Sequence, residues 1–159
     1  MKIIFLDYDG VVNTPIWNEE GKCGYNYPSD GKVNNYQAIM WLNELYKKTN
    51  AKIVVSSTWR YCCHDVSYQD CLYNAGINKN IEIIGCTEWF GNETRTDEIK
   101  RYLEKHEEII NYVILDDEVV FDDNFVKCNG NYGFGIEEFY KALKIIGGKE
   151  WNYMNLNKD

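Results

Sequence analysis

Two carboxylates near the start of the chain have the spacing that chemistry on a phosphate would need. Residues 2–6 are predicted to form a short buried strand, and Asp7, Asp9 and Gly10 follow it. Alternate side chains of an extended chain point the same way, so Asp7 and Asp9 can reach one ligand. Gly10 lets the chain bend and bring its backbone close to that ligand. The arrangement favours a site for a phosphate and a metal ion over a solvated acidic loop.

Two further apolar segments, also predicted to be strands, end in polar side chains. They are followed by Ser56 and Ser57 after residues 51–55, and by Asp116 and Asp117 after residues 112–115. Hydroxyls and backbone N–H groups suit phosphate oxygens, and paired acids suit a cation. Three predicted strands therefore each end in a group that could handle a phosphate or its counter-ion.

These motifs together resemble the haloacid dehalogenase (HAD) superfamily of aspartyl phosphotransferases. Its pattern is Asp-x-Asp-Gly after the first strand, Ser or Thr after the second, a basic residue before a later helix, and paired acids after the fourth strand. The segments SSTWR, RTDEIKRYL and YVILDDE are closest to small HAD domains related to RNA-repair and polynucleotide phosphatase proteins. The resemblance extends from Lys2 to about Ile146.

The order of elements predicts an α/β fold. Strands are expected at 2–6, 51–55, 81–84, 112–115 and 125–127, and helices at 33–48, 65–75, 96–105 and 136–146. Strands separated by helices imply a parallel sheet covered on both faces. In the first helix, the side chains expected on the buried side are Tyr36, Ile39, Met40 and Leu42.

The resemblance makes this expectation more specific. It implies a Rossmann-like three-layer sandwich, with a parallel five-stranded sheet in the order 5-4-1-2-3. Residues 1–159 would form one HAD-like domain with a minimal cap, consisting of a short flap at about 13–32, and a tail at about 147–159. Ligands of such sheets bind beyond the carboxyl ends of the strands, where Asp7 would lie between Ser56 and Asp116.

The resemblance also implies roles for the polar residues. Asp7 would be the nucleophile that takes the phosphoryl group, and Asp9 would protonate the leaving group and later activate water. Ser56 would hold the phosphoryl group, with Ser57 and Gly10 beside it. The basic residue of the superfamily is usually lysine, and this chain offers Arg95, just before a helix, or Lys100, more than a turn along it. Arg95 is the better placed of the two.

A cation is expected to bridge the nucleophile and the phosphate, because two anions repel each other. Asp7, Asp116 and Asp117 form a hard oxygen set suited to Mg²⁺. The resemblance adds the backbone carbonyl of Asp9. Either member of the acid pair could contact the ion directly.

Other side chains have two interpretations each. Arg60 could clamp a substrate phosphate through its planar fork or form a structural pair with an acid. The flap aromatics Trp17, Tyr25 and Tyr27, and Trp89 with Phe90 on the opposite rim, could stack on a base or pack onto the body of the domain.

Composition limits the classes of function. A net charge of −8 and a pI near 4.8 oppose a broad nucleic-acid footprint, although a local grip on one terminal phosphate remains compatible with them. No apolar run approaches membrane-spanning length, and a cytoplasmic protein without an obligate protein partner is expected. The six cysteines include no Cys-x-x-Cys pair. Reduced thiols are therefore favoured over a zinc site at Cys62, Cys63 and His64.

The leading hypothesis is a Mg²⁺-dependent phosphatase that acts through an aspartyl-phosphate, with a phosphorylated nucleotide or nucleic-acid end as substrate. A small metabolite or a phosphoprotein is an alternative substrate. The rival from another class is a phosphoacceptor switch module without turnover. Receiver domains of that kind place their acid pair and phosphoacceptor on different strands and lack an intact Asp-x-Asp-Gly, so the phosphatase is favoured.

Overall fold

The structure, a computed structural model, describes residues 1–17, 23–24, 34–62 and 67–147. Its strands are β1 (Lys2–Leu6), β2 (Ile16–Trp17), β3 (Cys23–Gly24), β4 (Lys52–Val55), β5 (Ile83–Cys86), β6 (Asn111–Asp116) and β7 (Phe125–Lys127). Its helices are α1 (Tyr36–Thr49), α2 (Trp59–Cys62), α3 (Tyr68–Asn74), α4 (Arg95–Lys105) and α5 (Ile136–Gly147).

Five parallel strands form the main sheet in the order β5-β4-β1-β6-β7. Numbered along the chain within this sheet, the order is 3-2-1-4-5, which is the predicted order read from the other edge. The strand that precedes Asp7 is therefore central, as expected. β2 and β3 form a separate antiparallel pair in the predicted flap.

Helices cover both faces of the sheet. The residues of β1 alternate between two apolar clusters: Ile4 and Leu6 pack with α1, α3 and α5, whereas Ile3 and Phe5 pack with Ile99 of α4. Burial on both faces is what allows β1 to be apolar throughout. The predicted three-layer α/β sandwich is confirmed, with α4 on one side and the other long helices on the opposite side.

The first helix differs from its prediction. Asn35 caps it by accepting a hydrogen bond from the Ala38 N–H at 3.0 Å, so the helix begins at Tyr36 and not at residue 33. The expectation that Tyr36 and Met40 are buried is wrong, since both are exposed. The buried stripe runs through Ile39 and Leu42, and residue 40 lies outside it because each helical residue turns the chain by about 100°.

Other boundaries also differ, among them those of the third sheet strand and of α4. The third sheet strand was expected at 81–84 with Gly85 ending it, but β5 runs to Cys86 and Gly85 pairs with Val54 inside it. Helix α4 begins at Arg95 because Thr94 and Asp97 form a reciprocal capping box before it. Arg95 is consequently the first residue of the helix, which places it at the carboxyl edge of the sheet.

Several predictions fall outside the described residues. They concern most of the flap with Tyr25 and Tyr27, the Cys63 and His64 segment, and the tail after residue 147. Among the cysteines whose side chains are described, Cys86 and Cys128 are free thiols, and Cys71 is buried. None of the described helices combines the length and the apolar character that crossing a membrane requires.

The loop after β7 packs tightly on the segment that follows β1. The Phe134 N–H donates to the Val11 carbonyl at 2.9 Å. Gly133 has φ +75°, and a Cβ built there would lie 2.4 Å from the same Val11 oxygen. Gly91 has a similar φ of +70° but open space around its Cβ position. The two glycines thus share a backbone preference and differ in packing.

Gly133→Ala is expected to lower the free energy of unfolding by at least ~1 kcal/mol more than Gly91→Ala does, since both introduce strain at positive φ but only Gly133→Ala adds a clash with backbone. Urea unfolding followed by circular dichroism measures both variants. Equal losses in the two variants would show that the loop yields and is not tightly docked.

Candidate active site

The carboxyl ends of the three central strands lie side by side. Leu6 pairs with Val55 of β4 and with Leu115 of β6. The hydrogen bonds continue one step further, with the Asp7 N–H donating to the Leu115 carbonyl at 3.0 Å and the Ser56 N–H to the Leu6 carbonyl at 2.9 Å. Asp7 therefore lies in the middle of the edge, as the family resemblance implied.

Strand alternation directs the side chains of Asp7, Ser56 and Asp116 to the side of the sheet that α4 covers. Phe5 packs in the cluster formed with α4, so Asp7, two residues later, is directed to the same side. The same alternation holds on the two neighbouring strands, because Val54 and Ile114 pack in that cluster two residues before Ser56 and Asp116. Arg95, at the start of α4, meets the two carboxylates there.

Three carboxylates gather at this edge. Asp7, Asp116 and Asp117 each offer an oxygen atom within 4.8 Å of the others, and Asp7 and Asp116 are only 7% and 1% exposed. One Asp116 oxygen accepts the Glu118 N–H at 2.9 Å. Three hard oxygen donors on adjacent strand ends fit a divalent cation such as Mg²⁺.

The charge on these acids is poorly compensated within the protein. Burial raises the pKa of Asp7 to about 7, with a further contribution from Asp116, while Arg95 and a hydrogen bond from Ser57 act in the opposite direction. Burial also raises the pKa of Asp116 to about 6 despite the neighbouring Arg95. A cation placed among these oxygens would favour their charged forms, so the electrostatics fit the same ion as the donor set.

Glycines make room for the third carboxylate. Gly10 has φ +73°, and a Cβ there would lie 2.2 Å from Asp117 Cγ. A Cβ at Gly130 would lie 2.7 Å from Asp117 Oδ2. The structure thus places Gly10, predicted to be near substrate, against the acid cluster. Any side chain at Gly10 would displace Asp117.

Asp9 lies on a tight turn beyond the strand. The N–H groups of Val11, Val12 and Asn13 all donate to the Tyr8 carbonyl. The side chain of Asn13 donates to Asp9 Oδ1 at 2.7 Å. The Asp9 carboxylate is outside the three-acid group, which is compatible with the expectation that only its backbone carbonyl would touch a metal.

Arg95 contacts two of the three clustered acids. Its Nε donates to Asp116 Oδ2 at 3.2 Å, and its Nη2 lies 3.7 Å from Asp7 Oδ1. Lys100, the alternative from the sequence, is exposed farther along α4. The structure therefore brings Arg95, and not Lys100, to the carboxylates.

The two serines after β4 differ in their contacts. Ser57 is buried and hydrogen-bonds to Asp7, which acts to lower the pKa of that carboxyl. Its Oγ also accepts the Trp59 N–H at 3.3 Å. The Ser56 Oγ is buried and has no hydrogen-bond partner among the described residues. An unpaired buried hydroxyl is costly, so this one is suited to an incoming ligand.

Arg60 forms hydrogen bonds inside the protein. Its Nη2 donates to Glu98 at 2.8 Å, and its Nη1 donates to the Ser57 carbonyl. This geometry favours the structural pair over a substrate clamp. Sequence reasoning did not single out Glu98, which also accepts from Thr87. Its spacing of three from Arg95 was the available signal, but its long-range partners leave no trace in the sequence.

Asp7→Asn is expected to stabilise the protein when a chelator is present. A carboxyl with a raised folded-state pKa holds its proton better when folded, so its contribution to stability falls as pH rises from about 4 to about 7. The amide does not ionise. The variant should match the wild type near pH 4 and exceed it by ~1–3 kcal/mol at about pH 7.5, measured by urea unfolding.

Asp123→Asn is the matched control, because it removes one exposed negative charge beyond the site. We expect it to have little effect at either pH. A wild type that is as stable as Asp7→Asn, or more stable, at the higher pH would show that the Asp7 charge is well compensated without a cation.

Comparison with known proteins agrees with this geometry. The family described as the HAD domain in Swiss Army Knife RNA repair proteins matches residues 3–139. That region includes all five strands of the main sheet, apart from the first residue of β1, and the three clustered acids. Neither the curated proteins nor the solved structures gave a match. HAD families typically use Mg²⁺ and act as phosphatases or other hydrolases. This chain belongs to the HAD family of the Swiss Army Knife RNA repair proteins.

Proposed function

We propose that this protein is a Mg²⁺-dependent phosphatase that removes a terminal phosphate from a nucleotide or polynucleotide through an aspartyl-phosphate on Asp7. The observation that carries the proposal is the convergence of Arg95, Asp116 and Asp117 on Asp7 at the carboxyl edge of the central strand. The RNA-repair family supports the substrate class.

Asp7 is assigned as the nucleophile. Its backbone is fixed by the strand ladder, and its carboxylate lies beside both Ser57 and Arg95. Transfer of the phosphoryl group to a carboxylate replaces one very slow hydrolysis by two easier steps. Water then attacks phosphorus of the aspartyl-phosphate, which releases phosphate and restores the carboxylate.

Asp9 is assigned as the general acid and base. It lies two residues from the nucleophile, on a turn outside the three-acid group, and is only partly buried. Asn13 orients its carboxyl group by donating to Oδ1. A carboxyl group held in this way can protonate the departing alkoxide and later take a proton from the attacking water, a role worth ~10²–10⁴-fold in rate.

The cation would be held by Asp7, by Asp116 or Asp117, and by the backbone carbonyl of Asp9. When bound, it would screen the repulsion between the carboxylate and the phosphate and stabilise charge on the transferring group. Retention of the buried acids in spite of their desolvation cost supports this assignment.

Ser56, Ser57 and Arg95 are assigned to the phosphoryl oxygens. The Ser56 hydroxyl is buried without a partner among the described residues and can donate to one of them. The 3.7 Å between Arg95 Nη2 and Asp7 is longer than a hydrogen bond. That nitrogen is therefore available to an oxygen of a phosphoryl group carried by Asp7.

Exposed aromatic side chains support a substrate with bases. Tyr61, Trp89 and Phe90 are 54%, 50% and 60% exposed. Hydrogen bonds hold them in place, since the Trp89 N–H donates to the Tyr61 hydroxyl at 3.1 Å and the Phe90 N–H donates to Glu93 at 3.1 Å. Pre-organised aromatic faces bind bases by stacking without a large basic surface, which is compatible with the net charge of −8.

Asp7→Asn is expected to lower Mg²⁺-dependent hydrolysis of an aryl phosphate by several orders of magnitude, because the amide cannot take the phosphoryl group. Asp9→Asn should lower the rate of the same hydrolysis ~10²–10⁴-fold. Steady-state kinetics with and without a chelator measures both variants, and Asp123→Asn serves as the control that keeps full activity.

Phosphate release that survives Asp7→Asn or is insensitive to chelation would overturn the proposal. A phosphoenzyme that forms once and persists would instead indicate a switch. Nucleoside 5′- and 3′-monophosphates, 3′-phosphorylated oligonucleotides, phosphopeptides and sugar phosphates should be ranked by kcat/KM. The proposal predicts that nucleotides or oligonucleotides rank first.

The double variant Trp89→Ala/Phe90→Ala is expected to raise KM for the preferred oligonucleotide roughly tenfold or more, because each stacked base contributes ~1–3 kcal/mol. A sugar phosphate has no aromatic ring that could stack, so its KM should stay unchanged. Ile110→Ala removes another exposed apolar side chain, just before β6 at the opposite end of the sheet, and should affect neither substrate. A similar rise in KM for both substrates would argue against stacking.

A further inference from the structure

We propose that Glu98 is a positioning residue that orients Arg95 for the phosphoryl group, an inference that rests on the proposed function. Glu98 lies in the first turn of α4 and its side chain is only 5% exposed. It is not one of the three clustered acids. A buried carboxylate outside that cluster requires strong partners of its own.

Glu98 Oε2 collects three donors. It accepts from Arg60 Nη2 at 2.8 Å, from Thr87 Oγ1 at 2.8 Å, and from Arg95 Nη1 at 3.4 Å. Arg60 is itself almost fully buried, and it donates to the Ser57 carbonyl. Glu98 is thereby fixed to the segment after β4 and to the residue after β5.

Arg95 directs its three nitrogen atoms at three different carboxylates. Nε contacts Asp116 at 3.2 Å, Nη1 contacts Glu98 at 3.4 Å, and Nη2 lies 3.7 Å from Asp7. Asp116 and Asp7 belong to the proposed reacting centre, where charge changes as the phosphoryl group arrives and leaves. Glu98 is the contact that stays constant through the reaction.

These three contacts depend on the planar shape of the arginine guanidinium. A guanidinium is a rigid planar fork, so holding one of its nitrogens fixes the direction of the other two. A lysine at position 95 has a single nitrogen and could not reproduce the separate contacts that the three nitrogens of Arg95 direct at Asp116, Glu98 and the phosphoryl group. The benefit of Glu98 should therefore depend on arginine at position 95.

A double-mutant cycle with Glu98→Gln and Arg95→Lys tests this dependence. With Arg95 present, Glu98→Gln should lower kcat/KM for an aryl phosphate by roughly tenfold to a hundredfold, as expected for a misplaced positioning group. In the Arg95→Lys background, Glu98→Gln should lower kcat/KM by less than about threefold, because the coupling between Glu98 and Arg95 has already been lost. Glu104→Gln, which alters an exposed acid on the same helix, is the control that changes nothing.

An activity-independent measurement separates orientation from folding. The Arg95 Nε–H signal in a nitrogen-15 spectrum should exchange slowly with solvent in the wild type and faster in Glu98→Gln, while thermal unfolding shows that both proteins are folded. If Glu98→Gln does not fold, Thr87→Val serves instead. It removes one hydrogen bond to Glu98 and keeps every charge, so it should show the same dependence on Arg95 with a smaller loss.

Equal losses with Arg95 and in the Arg95→Lys background would overturn the inference, because Glu98 would then act only by neutralising Arg60. An unchanged Arg95 Nε–H signal in folded Glu98→Gln would overturn it as well. If the wild type releases no phosphate from any substrate, the proposed function fails, and the exchange rate of Arg95 Nε–H alone decides the role of Glu98.

Discussion

The burial of Asp7 beside Asp116, at the ends of two adjacent parallel strands, is the constraint on which the rest of the structure depends. Two carboxylates that share a dry site repel each other, and each has also given up its hydration. Burial raises both pKa values above the usual range, and repulsion from Asp116 adds to the rise at Asp7. A fold keeps such an arrangement only if something else compensates the charge or uses it.

The surroundings compensate part of that charge. Arg95 meets both acids from the start of α4, and Ser57 donates to one of them. Gly10 leaves the space in which a third acid, Asp117, joins the pair. Asp117 thus adds a third carboxylate to a site in which the charge of the first two is only partly compensated. This is the opposite of what stability alone would favour, and it is what binding a cation would require.

A second network, centred on Glu98, adjoins the first through Arg95. Glu98 is bonded to Arg60 and Thr87 and contacts Arg95. The first network is left with an uncompensated charge and with a Ser56 hydroxyl that has no partner among the described residues, whereas Glu98 in the second network is satisfied. A site that is open to a ligand but held in place by an adjoining network has the pre-organisation that catalysis needs.

The sequence predicted the parts of this arrangement that are local. Strand alternation and the polar residues at strand ends indicated Asp7, Ser56 and Asp116, and the strand order agreed. The prediction for the buried side of α1 was wrong at Tyr36 and Met40, because the helix buries the stripe through Ile39 and Leu42 and leaves both of those residues exposed. Glu98 was missed because its importance lies in contacts with residues 38 and 11 positions away.

Diffraction from crystals soaked with Mn²⁺ and beryllofluoride, a mimic of a phosphoryl group on a carboxylate, would show whether a cation and a phosphoryl group meet at Asp7. We expect an anomalous peak among the oxygens of Asp7, Asp116 and Asp117, and a beryllofluoride adduct on Asp7 within reach of Ser56 and Arg95. A manganese peak elsewhere, or an adduct on another carboxylate with this cluster empty, would contradict this expectation.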